Sequence, residues 1–230
     1  AGLSHDLRNI LQPLLIVPDL LSTYSDDPKI LRLGAVISEG GKRGHEMADS
    51  MLSFVRGSRK ASESISVASL FRAVQLLLQG SLTRKVQLDV VMPPEDLLIE
   101  GNYTEFQQCL INLCLNGIQA MAENGGRLLL SAERVTDEQG GDSVVVRVQD
   151  AGTGMDEATR QQLFTPFFTT KSTGTGLGLM SCKRIVEAAK GRIVVESEVG
   201  RGTTFQIHLP VHAPVDAHAD PHHDFLDGEG

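Results

Sequence analysis

The chain has 230 residues and a formal net charge of −8, with an isoelectric point near 5.3. So acidic a chain offers no general basic surface to nucleic acid or anionic lipid, and any positive site must be local. An apolar fraction of 41% supports globular packing, and the length suffices for two modest domains with their own cores. No apolar run approaches the roughly 18 residues of a membrane span, and no secretory signal precedes the first helical pattern, so no membrane contact is expected of this segment. Cys109, Cys114 and Cys182 lack CxxC spacing and fall in apolar helical patterns. They read as buried thiols of a reducing, cytoplasmic compartment rather than as zinc ligands or disulfides.

Residues 3–21 place Leu3, Leu7, Ile10, Leu11, Leu14 and Leu15 at steps of three and four, an amphipathic helix. Pro13 and Pro18 are expected to bend it, because each removes an intrahelical donor. The run YSDDP at residues 24–28 reads as a turn, with Asp before Pro. A second helix follows, carrying Ile30, Leu33, Val36, Ile37, Met47, Met51 and Val55 in register. Gly40, Gly41 and Gly44 interrupt it at a cost of ~1 kcal/mol each, so they either permit close helix packing or act as a hinge. A lone two-helix hairpin cannot bury its apolar stripes, and residues 1–57 are therefore expected to form a symmetric four-helix bundle of two chains, a homodimer.

Residues 58–63, polar and glycine-preceded, read as a linker to a second domain at residues 64–210. That domain opens with a helix near residues 67–79 and an alternating strand at 86–91, broken by Pro93 and Pro94. Strands at 128–133, 143–149, 192–197 and 203–209 complete a mixed sheet. Helices near 102–124 and 176–189 on one face make the domain an α/β sandwich, and the chain as a whole α+β. Gly200 and Gly202 form a structural turn between the last strands. The tail, residues 211–230, is acidic and histidine-containing with little apolar content, and disorder is expected. His218, His222 and His223 could bind a metal, though a solvated linker toward a further domain is the favoured reading.

The stretch from Asp150 to Leu179, DAGTGMDEATRQQLFTPFFTTKSTGTGLGL, organises the rest. Gly152 and Gly154, then Gly174, Gly176 and Gly178, supply backbone that can approach phosphates closely. The second cluster opens a helical pattern at Leu177, whose free N–H groups and positive dipole end suit an anion. There is no GxxxxGK[ST], and the glycines run GxGxG rather than GxGxxG, so neither the P-loop nor the dinucleotide fingerprint applies. Phe164, Phe167 and Phe168 include one or two core residues, and residues 165–175, with their threonines and glycines, read as a lid that orders over nucleotide. Upstream, Asn112 and Asn116 stand four apart on one face of a helix whose other face carries Phe106, Cys109, Leu110 and Leu113.

The order of these boxes, NLCLN, DAGTG, FTPFF and GTGLGL, resembles the ATP-binding domain of sensor histidine kinases, within the ATPase family that includes gyrase and Hsp90. With His5 and Asp6 in SHDLRN placed before it, the resemblance covers about nine tenths of the chain. It implies that His5 is the phosphoacceptor, Asp6 its orienter or base, and Asn9, one turn along, a phosphatase residue. It makes Asn116 the Mg2+ ligand and turns Asn112 toward the metal or the γ-phosphate. Asp150 then accepts from the adenine amino group with Gly154 beneath the ring, and Gly152, Gly174, Thr175, Gly176, Leu177 and Gly178 complete the ATP site. Two departures stand out. Ile10 occupies the place where many members carry proline five residues after the histidine, and Gln119 the place where Lys or Arg often follows the second Asn, which leaves Lys171 to meet the phosphate charge.

The implied function is ATP- and Mg2+-dependent phosphorylation of His5, then transfer to an aspartate of a response-regulator receiver domain, in the same chain or another. The implied setting is cytoplasmic, within a larger sensor protein. A phosphatase-dominant homologue and a dimeric binding module without turnover are the alternatives. The second is disfavoured because His5, Asn112, Asn116, Asp150 and both glycine clusters are all present.

Overall fold

Side-chain spacing makes two helices at the start of the chain, and a computed structural model shows how they meet. It describes residues 2–56, 62–93, 97–136, 141–171 and 174–211, with side chains from residue 12 onward except at 43 and 45–56. The expected linker up to residue 61 and the tail from residue 212 lie outside the described residues. Helix α1 (Gly2–Tyr24) continues through Pro13 and Pro18, so the expected bends do not end it. Helix α2 (Pro28–Arg56) starts where Asp27 Oδ1 accepts the Lys29 N–H at 2.8 Å, with Pro28 at the first helical position, where no donor is needed.

The face that α2 turns to α1 is built from small residues. Gly34, Ser38 and Gly41 are buried at steps of four and three. A Cβ on Gly34 would stand 2.9 Å from Leu21 Cδ1, and one on Gly41 2.8 Å from Leu14 Cβ. Gly40 faces open space. Close packing is therefore the work of Gly34 and Gly41 rather than of Gly40. The apolar stripe instead points outward, with Leu33 61%, Val36 64% and Ile37 41% exposed.

The rest of the described chain is α+β. Strands β2 (Val86–Val91), β4 (Gly126–Thr136), β5 (Asp142–Asp150), β6 (Arg192–Glu198) and β7 (Gly202–Pro210) form a five-stranded sheet of order β2-β4-β5-β7-β6. Only β2 and β4 pair in parallel, so the sheet is mixed. Two short strands escape the sequence reading: β1 (Glu63–Ser66), which takes the last residue of the expected linker, pairs antiparallel with β3 (Leu98–Gly101). Each is four residues long and buries one isoleucine, Ile65 opposite Ile99, too little alternation to announce a strand.

Helices α3 (Val67–Leu78), α4 (Tyr103–Ala120) and α6 (Gly178–Ala188) supply apolar faces to one core. Phe106, Cys109, Leu110, Leu113 and Ile118 of α4 join inward residues of the sheet such as Leu128, Leu130, Val146, Val148, Phe205 and Ile207. The ends of α3 and α4 are fixed by caps: Ser66 Oγ accepts the Ser69 N–H at 3.3 Å, and Asn102 Oδ1 the Glu105 N–H at 3.1 Å. A short helix α5 (Glu157–Gln162), capped by Asp156, precedes the phenylalanine segment.

Candidate active site

Strand β5 alternates Val144, Val146 and Val148 inward, and the next inward slot falls on Asp150, its last residue. The residue is only 6% exposed. Its Oδ1 accepts the Gly152 N–H at 2.9 Å. Burial raises its proton affinity above the ordinary carboxylate range, opposed by the backbone amides of Gly152 and Thr203 and by the charge of Lys171. Helix α4 crosses the end of this strand at Gly117, where a Cβ would meet Leu128 Cδ1 at 2.8 Å and Asp150 Cβ at 3.0 Å. That close approach, carried by a glycine the sequence reading passed over, brings Asn116 beside Asp150's end of the sheet.

A cavity of about 520 Å³ opens there. Its wall includes Asn112, Asn116, Asp150, Gly154, Lys171, Gly174, Thr175, Gly176 and Gly178, together with Gln119, Thr153, Met155 and Thr203. Residues from α4, the end of β5, the loop before α6 and β7 thus converge on one space. Two expected site residues do not line it. Gly152 lies behind the wall against Ala120 and the Asp150 carboxyl, and Leu177 is buried at 2% exposure as the residue before α6. His5, Asp6 and Asn9 lie on α1, with their side chains outside the described residues.

The loop between α5 and α6 is held at its base. Phe167 adopts φ 66° and donates its N–H to the Gly176 carbonyl at 3.2 Å, and Gly176 itself has φ 67°. A Cβ on Gly176 would come within 2.3 Å of the Phe167 carbonyl carbon, so only glycine fits. The phenylalanine expectation needs correcting. Phe167 is 49% exposed, Phe164 and Phe168 are half-buried, and Leu163 is the buried residue of the segment. Phe164 instead receives Lys183 of α6 over its ring at 5.6 Å, a cation–π contact between segment and helix.

Lys171 Nζ donates to Asn116 Oδ1 at 2.7 Å and to Gln119 Oε1 at 2.5 Å. Burial lowers its proton affinity while the Asp150 charge opposes the shift. Helix α6 begins without a side-chain cap, and its first residue, Gly178, lines the cavity with Gly176 before it, which leaves its first N–H groups free of side-chain partners at the cavity edge. The donor set suits Mg2+, which takes few protein oxygens and keeps water and phosphate for the rest: Asn116 Oδ1 is a hard oxygen that already faces a cationic group. Among the described residues no group of three or more His, Cys, Asp or Glu is placed to hold an ion as a preformed cage.

An acidic acceptor, two amides and an uncapped helix start surround one cavity, and similarity to known proteins gives the domain its class. Residues 101–213 match the family described as histidine kinase-, DNA gyrase B- and HSP90-like ATPase. The sensor histidine kinase ZraS of Escherichia coli is 32% identical over 216 residues, covering 92% of this chain and 44% of ZraS. The catalytic domain of histidine kinase ThkA is 33% identical with a TM-score of 0.55, covering 66% of this chain and 96% of that structure. Full-length ShkA, in complex with AMPPNP, shares the fold at a TM-score of 0.72 and 24% identity, covering 91% of this chain and 44% of ShkA. The chain belongs to this ATPase family and carries a histidine kinase ATP-binding catalytic core. It spans less than half the length of the curated relatives it matches. Among the described residues no helix is long and apolar enough to cross a membrane.

Proposed function

We propose that this chain is the kinase core of a sensor histidine kinase, which phosphorylates His5 from ATP and passes the phosphoryl group to an aspartate of a response-regulator receiver domain. The observation that carries the reading is the convergence of Asp150, Asn116 and the uncapped start of α6 on one cavity. The naming of its relatives as sensor kinases supports it. Asp150 accepts from the adenine amino group above Gly154, with Gly152 holding its carboxylate. Backbone at Gly174, Thr175, Gly176 and Gly178 faces the phosphates, and Lys171 meets their charge. Asn116, with Asn112 beside it, would hold Mg2+, which would supply positive charge against that of the phosphates.

In the transfer step a lone pair of the neutral His5 imidazole attacks the γ-phosphorus. A P–N bond forms as the P–O bond to ADP breaks, and Asp6 accepts the N–H of the other ring nitrogen, stabilising the charge that develops. The receiver aspartate then takes the phosphoryl group from His5. Asn9, one helical turn from His5, orients water that hydrolyses the receiver's phosphoaspartate and releases inorganic phosphate. Residues 1–57 pair with a second copy as a four-helix bundle, residues 58–63 link it to the catalytic domain at 64–210, and the whole works in the cytoplasm within a longer protein.

Incubation with γ-labelled ATP and Mg2+ tests the reading. Label that survives alkali, is lost in acid and is absent from His5→Gln is the expected result; acid-stable label would overturn it.

A further inference from the structure

Lys171 makes the contact for which the activity as described has no use. Its N–H meets Thr169 Oγ1 at 3.1 Å and its carbonyl accepts the Gly174 N–H at 3.2 Å, which holds its backbone beside the cavity it lines. There the ammonium is shared between two amide oxygens three residues apart on α4, those of Asn116 and Gln119. Residues at this spacing stand on one helix face, so their oxygens converge on a single donor. The Asp150 charge adds an attraction from the strand side.

We propose that Gln119 is a positioning residue that, with Asn116, clamps Lys171 as a tethered cation at the metal-facing wall, and that phosphate recognition works by drawing Lys171 off this clamp. The inference rests on the nucleotide-site reading above. On one amide oxygen an ammonium and a divalent cation would stand only a few Å apart and repel each other. The ammonium must leave when the metal–nucleotide arrives, and a phosphate oxygen gives it a stronger, charge-assisted partner than an amide. The exchange needs no cation on the helix itself, which accounts for an amide at position 119. It also makes Gln119 an opponent of nucleotide binding, although it lines the cavity.

The two partners of one hydrogen bond should therefore act in opposite directions. Binding of a non-hydrolysable ATP analogue with Mg2+ is measured by calorimetry on the full chain. Lys171→Met should weaken binding by about tenfold, the scale of a lost hydrogen bond to a charged group. Gln119→Leu should tighten it by about three- to tenfold, because one holder of the clamp is gone. In the Lys171→Met background the gain from Gln119→Leu should vanish, which a merely structural role for Gln119 would not produce. Weaker or unchanged binding in Gln119→Leu, or a gain that persists without the lysine, overturns the inference while leaving the nucleotide site standing. Failure of the unaltered chain to bind the analogue at all overturns the nucleotide-site reading and this inference with it.

Discussion

Asp150 is where the sequence's alternation and the site's chemistry meet, since an inward strand position otherwise filled by valine carries a carboxyl. Its raised proton affinity comes first from burial, so acidification protonates it at a higher pH than an exposed aspartate. A protonated acid no longer accepts from an adenine amino group as a carboxylate does. Nucleotide affinity should fall as pH drops through that raised range, and Asp150→Asn should flatten the dependence while costing ~1 to 3 kcal/mol of binding at neutral pH. Stability runs the other way. The folded state holds the proton more readily than the unfolded one, so the burial cost is largest above the raised value and is relieved as pH falls toward the ordinary value. Nucleotide titrations and thermal unfolding of both proteins across this range check the two signs; unchanged affinity in Asp150→Asn at neutral pH would refute the adenine role.

Helices α1 and α2 show how element-scale packing assigns different work to neighbouring glycines. Gly41 sits against Leu14 and Gly40 against nothing, although both interrupt the same apolar register. Gly40→Ala should therefore stabilise the chain by about 0.5 to 1 kcal/mol, through helix propensity alone. Gly41→Val adds bulk where a Cβ would already stand 2.8 Å from Leu14, and should destabilise by about 1 to 3 kcal/mol. Denaturant melts of the two variants give the comparison, and a loss of stability in Gly40→Ala would contradict the packing described here.

Across the whole molecule, Leu33, Val36 and Ile37 of α2, with Ile16 and Leu20 of α1, are apolar side chains left exposed by the chain itself. Pairing with a second copy is the simplest way to bury them. Leu33→Glu combined with Val36→Glu should shift the chain from dimer to monomer in sedimentation, with nucleotide binding retained because the cavity lies among α4, α6 and the sheet. A wild-type chain that stays monomeric at high concentration would exclude the bundle.

The residues legible from sequence are those whose meaning is local. Strands were expected at all five places in the main sheet, and β5 and β7 need only one residue more at each end. The Asn112 and Asn116 pair, Asp150 and the second glycine cluster were readable because each lies within one element or one turn, where spacing fixes the face. The short strands β1 and β3 were not readable, since four residues with one buried side chain carry no period and their pairing is decided by partners in the core. Nor was the outward Phe167, whose positive φ depends on Gly176 across the loop. The clamp of Lys171 joins residues 52 and 55 positions apart in the chain. By itself the sequence determined which elements carry the asparagine pair, the carboxyl and the second glycine cluster. Tertiary structure alone decided which of them touch, because a contact between distant segments depends on how helices cross the sheet, as α4 does at Gly117, and no local spacing encodes that crossing.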